Sequence, residues 1–291
     1  MKAKKSLGQN FLKSSVALNK IIEAGEVNDK DIVLEIGPGK GALTAKLLEK
    51  AGVVIAVEKD RELFDFLKEK FAHEISEKKL FLLNEDILEV NIKNIWENIR
   101  EGSFGGKGGS GQRRFEASNL RAESANIFPD VLAYKIIANI PYNITGAILK
   151  KFLTEEDQPE RMILMVQHEV AKRIVARDKK ESILSISVKA YGEPKLVMKV
   201  AARYFSPAPK VDSAIIAINN ISKSFLQEHG ISEEKFWEIV KIGFAHKRKK
   251  LSSNLKSILK NKADLAKTLG NKRAEDLSLL EWIKLTKDIN N

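Results

Sequence analysis

Through most of the chain, short apolar runs alternate with longer stretches in which apolar residues recur every three or four positions. Val16, Leu18, Ile21 and Ile22 share one helical face, and Gly25 is placed to end that helix. Ile32 to Ile36 is a short apolar run broken only by Glu35, the pattern of a buried strand. A glycine loop, Gly37 to Gly41, leads into a helix over Ala42 to Ala51. "VVIAVEKD" predicts a second strand with Glu58 near its end, and Leu63, Phe66, Leu67 and Phe71 give the next segment helical spacing. "LFLLNEDIL" predicts a third strand ending in Asn84-Glu85-Asp86. Strand and helix in strict alternation imply a doubly wound α/β domain on a parallel sheet.

The alternation continues. "YKIIANIPYNITG" (Tyr134 to Gly146) is an apolar strand that stops abruptly at Asn139-Ile140-Pro141-Tyr142. "RMILMVQHEVAKRIVA" predicts strand then helix, "SILSISVKAYGEPKLVMKV" helix then strand, and "YFSPAPKVDSAIIAI" a closing strand. Beyond Asn220 the spacing is helical only, and Ser278 and Glu281 stand three apart as in a capping box. The pattern divides the chain into an α/β domain over 1–219 and a helical domain over 220–291. A glycine-rich insertion, about 101–130, interrupts the first. Within it "GSFGGKGGSG" has linker composition, so a passive surface insertion is expected rather than RNA contact through Arg113, Arg114 and Arg121.

Composition adds a partner class. Of 291 residues 43% are hydrophobic and 31% charged, normal for a chain with a real core, but the formal net charge is +11. That excess favours a polyanion, nucleic acid first and anionic membrane second. The absence of cysteine excludes disulfides and thiolate chemistry. No apolar run approaches the roughly 18 residues of a membrane span, and no secretory run follows the basic start, so a cytoplasmic protein is expected. His73, His168, His229 and His246 are scattered without ligand spacing, so no metal is expected.

The chemistry-bearing positions fall at the carboxyl ends of strands, where open α/β sheets bind ligands. The loop Gly37-Pro-Gly39-Lys-Gly41 lets a ligand approach backbone N–H groups, and Glu58 at the end of the next strand suits ribose hydroxyls. Its spacing, G-x-G-x-G, leaves NAD and S-adenosylmethionine both open. Asp86 and Asn139 complete the rim. Asn139-Ile-Pro-Tyr142 reads as a clamp for an adenine amine, a poor nucleophile until its N–H groups donate to fixed acceptors. The Asn139 side-chain oxygen and the Ile140 carbonyl are two such acceptors, Pro141 stiffens the turn, and the Tyr142 ring offers a stacking surface to a flipped-out base.

N-I-P-Y resembles the signature of adenine-amine methyltransferases, and "EIGPGKG" an S-adenosylmethionine loop. "SLGQNFL", "YFSPAPKVDSA", "VQHEVAKR" and "FAHKRKKLSSNL" resemble motifs of the ribosomal RNA adenine dimethyltransferases, most closely the small-subunit branch, the KsgA type. The segment Lys179 to Ser182 departs from that family's usual turn. The resemblance implies a Rossmann-like class I methyltransferase domain with a C-terminal helical domain. It implies S-adenosyl-L-methionine as cofactor and N6-dimethylation of adjacent adenines in a 3′-end hairpin of 16S rRNA in the small subunit or its precursor. By the same resemblance Asn10 and Leu12 line the cofactor site, Gly37 and Gly39 cradle the cofactor, Glu58 takes the ribose, and Asp86 the adenine amine. Asn139 touches cofactor and target, and Tyr142 and Phe205 sandwich the target adenine. Lys247, Arg248, Lys249 and Lys250, spread around a helix, are expected phosphate contacts. A monomer is expected, with no membrane partner. Two alternatives stay open: the large-subunit (Erm) type, against which Val211-Asp212-Ser213 and "KRKKL" speak, and a non-catalytic assembly factor on the same fold.

Overall fold

The computed structural model describes residues 3–101, 133–176, 178, 180–260 and 262–290. The glycine-rich segment with Arg113, Arg114 and Arg121, and Lys179, lie outside them. The chain opens with β1 (Phe11–Leu12) and α1 (Ser15–Gly25). It then alternates through β2 (Ile32–Ile36), α2 (Ala42–Leu48), β3 (Val53–Val57), α3 (Arg61–Lys70), α4 (Ala72–Ser76), β4 (Leu80–Leu83) and α5 (Ile92–Glu101). After the insertion come β5 (Tyr134–Asn139), α6 (Thr145–Thr154), β6 (Arg161–Gln167), α7 (His168–Val175) and α8 (Ile183–Lys189). The sheet is completed by β7 (Glu193–Val200) and β9 (Ser213–Asn219), while β8 (Phe205–Ser206) pairs with β1 instead.

The main sheet has seven strands in the order β4-β3-β2-β5-β6-β9-β7. The first five run parallel, as the strand–helix alternation requires. β9 is antiparallel to both neighbours, so the parallel part of the sheet ends at β6. The reason is connectivity: the segment between β7 and β9 holds a 3-10 stretch (Ala202–Tyr204) and β8 but no crossover α-helix, so the chain returns antiparallel beside β7.

Both faces of the sheet are covered, and the strands divide their side chains between them at period two. Ile32, Leu34 and Ile36 point to one apolar cluster, Val33 to the other; Ile136 and Ala138 join the first, Ile137 the second. The second cluster is capped by α1 to α3 through Ile21, Leu47 and Leu67, all fully buried. At the end of α1, the left-handed residue is Glu26 (φ 47°); Gly25 stays helical and buried.

Beyond β9 the chain is helical: α9 (Ser224–Glu228), α10 (Glu233–Gly243), α11 (Leu251–Asn254), α12 (Ala263–Leu269) and α13 (Leu279–Asn290). Ser278 and Glu281 do cap α13 reciprocally, the Ser278 N–H donating to the Glu281 carboxylate at 2.9 Å and the Glu281 N–H to the Ser278 hydroxyl at 3.3 Å. The change of element type falls at Asn219, but the packing does not break there. Phe236, Val240, Leu251 and Trp282 belong to the same apolar cluster as Leu34 and Ile136.

The basic run Lys247 to Lys250 is not helical. Residues 244–250 form a turn between α10 and α11. α10 stops at Gly243, where a Cβ would stand 2.4 Å from Trp282, and the Asn254 side chain donates to the Gly243 and His246 carbonyls at 2.6 and 3.2 Å. Those caps close the helix before four adjacent like charges would have to extend it. Among the described residues no helix is long and apolar enough to cross a membrane.

Candidate active site

The carboxyl ends of β2, β3 and β5 and the loop after β4 open onto one cavity of about 550 Å³. Asn10, Leu12, Gly37, Gly39, Glu58, Asp86, Asn139 and Tyr142 all line it, so eight of the nine cofactor and base-clamp positions expected from sequence converge. Phe205 is the exception. It pairs in register with Leu12 across β1 and β8, is only 3% exposed, and packs into the apolar cluster beneath α1. Pro207 and Pro209 suggested an exposed turn, and the turn after Ser206 is exposed. Phe205 itself precedes it, in the strand pair, where its ring is worth more as core.

The glycine loop is held from below by Glu58. Its Oε2 accepts from the Gly39 N–H at 3.0 Å and its Oε1 from the Asp60 N–H at 2.8 Å. Gly39 takes φ 62°, and a Cβ there would stand 3.0 Å from the Phe11 ring. The positive φ favours glycine, and any side chain would also press on the Phe11 ring. Burial pushes the Glu58 carboxyl above its usual range, against the two backbone N–H bonds.

Asp86 lies three residues past the end of β4, in a loop rather than in the strand. Asn84 breaks the strand there by turning its side chain onto the Glu58 carbonyl at 2.9 Å. The Asp86 carboxylate accepts from Lys59 Nζ at 2.6 Å and from the Leu88 N–H at 3.0 Å. Burial would raise its carboxyl, but those two donors outweigh it and hold it below the ordinary value.

At the end of β5 the backbone leaves the ladder at Asn139. The Asn139 amide donates through Nδ2 to the Asn10 carbonyl at 3.1 Å. Among the described residues no donor is paired with its Oδ1. Pro141 (φ −59°, ψ 130°) sets the turn into a short 3-10 segment, Tyr142–Ile144. The Tyr142 hydroxyl pairs with the fully buried Ser213 hydroxyl of β9, so the phenol is fixed at its far end. Burial raises the Tyr142 pKa, with the Ser213 bond opposing it.

Three participants escape a reading of the sequence. Glu35 is 1% exposed, lines the cavity floor, and has an Oε2 with no hydrogen-bond partner; burial pushes its carboxyl up to about 8. The available signal was an acid inside a strand otherwise apolar at every position. Asp60 and Gln9 join the N-terminal segment to the end of β3 through a 2.8 Å bond, a long-range pairing that no local pattern announces. Among the described residues no group of His, Cys, Asp or Glu side chains could hold a metal ion.

The whole chain, residues 1–291, matches the family described as "Ribosomal RNA adenine dimethylase". The chain belongs to that family. A "Ribosomal RNA small subunit methyltransferase A" of Dehalococcoides mccartyi (strain CBDB1) is 38% identical over 98% of this chain and 88% of its own length. One of the same name from Fusobacterium nucleatum is 35% identical over 98% and 97%. Among solved structures, a dimethyladenosine transferase from Plasmodium falciparum superposes with TM-score 0.71 at 25% identity, covering 96% of this chain and 97% of that one. The 23S rRNA methyltransferase ErmE superposes at 0.68 with 22% identity, covering 97% of this chain and all of its own, which places the Erm type on the same fold. The N-I-P-Y corner and the glycine loop of this chain meet at the cavity. The basic turn 244–250 lies outside its lining.

Proposed function

We propose that this adenine dimethylase transfers methyl groups to the N6 amines of adjacent adenines in the 3′-end hairpin of 16S rRNA, in the small subunit or its precursor, with S-adenosyl-L-methionine as donor. The observation that carries this reading is the meeting of the N-I-P-Y corner and the glycine loop at one cavity. The residues present fit the cofactor. Backbone N–H groups at a positive-φ glycine loop, a carboxylate at the end of β3 and a second carboxylate beyond β4 match a group bearing an ammonium-carboxylate end, a ribose and an adenine amine. Asn10 and Leu12, with the loop, Glu58 and Asp86, would hold it. When bound, the cofactor supplies an electrophilic methyl group on a sulfonium.

The chain's own residues supply position. Because Asn139 spends its Nδ2 on the Asn10 carbonyl, its Oδ1 is the end that accepts from an incoming amine. The Ile140 carbonyl, on a buried residue stiffened by Pro141, is the second acceptor. Two fixed acceptors draw the adenine nitrogen out of conjugation and aim its lone pair, which is preorganised electrostatic stabilisation. The Tyr142 ring, tethered to Ser213, provides the stacking surface. A monomethylated amine keeps one N–H, so the second transfer relies on one acceptor. No side-chain base is needed, since the alkylated amine is itself acidic.

Lys247, Arg248, Lys249 and Lys250 are exposed, and among the described residues none of the four is in an ion pair. As unpaired cations on a turn they would serve as phosphate contacts that set register on structured RNA.

The test is methyl transfer in vitro. Isotope-labelled S-adenosylmethionine, unmethylated small subunits and large subunits are incubated separately with the protein, and the RNA is digested for mass spectrometry. N6-dimethyladenosine in small-subunit rRNA alone is the expected result. Label in 23S rRNA would move the protein to the Erm type, and no label would leave the non-catalytic alternative.

A further inference from the structure

Residues 6–12 form a strap along one wall of the cavity as part of its lining. At one end this strap is fastened by main chain: Phe11 and Leu12 pair with Ser206 and Phe205, and the Asn10 carbonyl receives the Asn139 amide. At the other end it is fastened mainly by Asp60, with a 3.1 Å ion pair from Lys4 Nζ to the exposed Glu62 Oε1 beside it. Lys4 Nζ donates to Asp60 Oδ1 at 2.7 Å and Gln9 Nε2 to Asp60 Oδ2 at 2.8 Å. The Lys4 N–H donates in turn to Gln9 Oε1 at 2.7 Å, so the three residues close a ring.

Asp60 does more than a helix cap requires. It does cap α3, accepting from the Glu62 N–H at 3.1 Å, a task a serine performs as well. Yet its carboxylate is 4% exposed, and both oxygens face the strap. Its own N–H holds Glu58 Oε1, the other half of the carboxylate that steadies Gly39. Three consecutive residues, Glu58 to Asp60, thus tie the glycine loop, the loop of Asp86 and the strap to one strand end. Asp60 itself is not among the cavity-lining residues.

We infer that Asp60 is a positioning residue that latches the strap along the cavity wall, so that Lys4 and Gln9 set how long the cofactor stays bound. The inference rests on reading the cavity as the cofactor site. Releasing a ligand held against residues 6–12 requires the strap to lift, and lifting its free end breaks two bonds to a buried carboxylate, one of them from a cation. Gating segments of this kind act on exchange rates more than on the bound geometry.

Three variants separate latch from cap. Asp60→Ser keeps a capping oxygen but is too short to reach Lys4 or Gln9. Gln9→Ala cuts the same latch from the other side and leaves α3 untouched, while Lys4→Met cuts it together with the 3.1 Å pair to Glu62. The probe is S-adenosylhomocysteine, its affinity measured by calorimetry and its release by a stopped-flow chase, with trypsin cleavage after Lys4 followed without ligand. Asp60→Ser and Lys4→Met should each speed release about tenfold, the effect of one charge-assisted bond. Asp60→Ser combined with Gln9→Ala should be no worse than Asp60→Ser alone, because that change already removes the Gln9 bond. Cleavage after the Lys4 position, scored in Asp60→Ser and Gln9→Ala, should accelerate even with no ligand present. If Asp60→Ser lowers the melting temperature, Lys4→Met and Gln9→Ala decide. Unchanged release and cleavage in variants that still bind the probe would overturn the latch. Failure of the parent protein to bind the probe would overturn the cofactor reading, and the latch with it.

Discussion

The N-I-P-Y corner and the basic turn at 244–250 are both irregular segments at the end of a regular element, and they are built in opposite ways. At the corner the side chains are held by internal bonds that leave the Asn139 Oδ1 open: Asn139 Nδ2 by Asn10, Tyr142 by Ser213, and the Tyr142 carbonyl by the Thr145 hydroxyl at 3.1 Å. In the turn the backbone is fixed by Asn254, while the four cationic side chains are exposed, none of them in an ion pair among the described residues. A group that stabilises developing charge must be immobile before the substrate arrives. A group that neutralises a phosphate gains by staying hydrated and long-range until it meets its partner. Rate should therefore reside in the corner, and affinity in the turn.

The largest effect belongs to the corner. Asn139→Ala removes the free Oδ1 acceptor and the tie to the strap together. We expect the single-turnover transfer rate to fall by a factor of order 10²–10³, as when one preorganised donor or acceptor is removed, while RNA affinity holds. Transfer at the parent rate would show that the corner is only a turn.

The reciprocal experiment changes Lys247, Arg248, Lys249 and Lys250 together to Gln. Binding to the RNA particle should weaken. The slope of log affinity against log salt should flatten by roughly 0.7–0.9 for each phosphate the protein no longer neutralises, about 3 for all four. The transfer rate at saturating RNA should survive. An unchanged slope across a salt series would make the turn a solvated surface and move RNA docking elsewhere.

Glu58 belongs to neither region and should affect the cofactor alone. Glu58→Ala removes the acceptor for Gly39 and the expected ribose partner. It should weaken S-adenosylmethionine binding by roughly 1.5–3 kcal/mol for each charge-assisted bond removed, about ten- to a hundredfold in Kd. RNA affinity should stay near the parent value, and calorimetry with each ligand separates the two. Equal cofactor affinity in variant and parent would remove Glu58 from the site.

What was legible in the sequence follows from the range of the interactions involved. β2, the glycine loop and Glu58 were readable because a buried strand, a tight loop and a strand-end acid each leave a local signature. The antiparallel β9 was not, because an apolar strand looks the same in either direction. The burial of Phe205 was hidden for a related reason. Its partner is Leu12, nearly two hundred positions away, and the prolines that follow describe the turn rather than the residue before it. The basic run was misplaced on a helix because the cap that ends α10 comes from Asn254, downstream of the charges themselves.

The remaining effect is one of pH, read in stability rather than in rate or affinity, and it sharpens the same contrast, since the exposed turn should contribute nothing to it. Burial pushes the Glu35 carboxyl up to about 8 from an ordinary value of 4.5. In the folded protein Glu35 therefore keeps its proton at neutral pH, whereas in the unfolded chain it has given it up. Unfolding then releases a proton between those two values, so this group's contribution to stability is fully present below the unfolded pKa and is lost as pH rises through the folded one. The slope is at most about 1.4 kcal/mol per pH unit. Glu35→Gln places a neutral side chain of nearly the same shape on the cavity floor and removes that slope. Urea unfolding of parent and variant at pH 5, 6, 7 and 8 should show two curves that diverge upward with pH, the variant gaining on the parent until about pH 8 and running parallel above it. The quadruple Gln variant of the turn, carried through the same series, should track the parent. Parallel curves for Glu35→Gln from pH 5 onward would mean that the carboxyl is ionised in the folded protein and that a cation or water reaches it from the cavity.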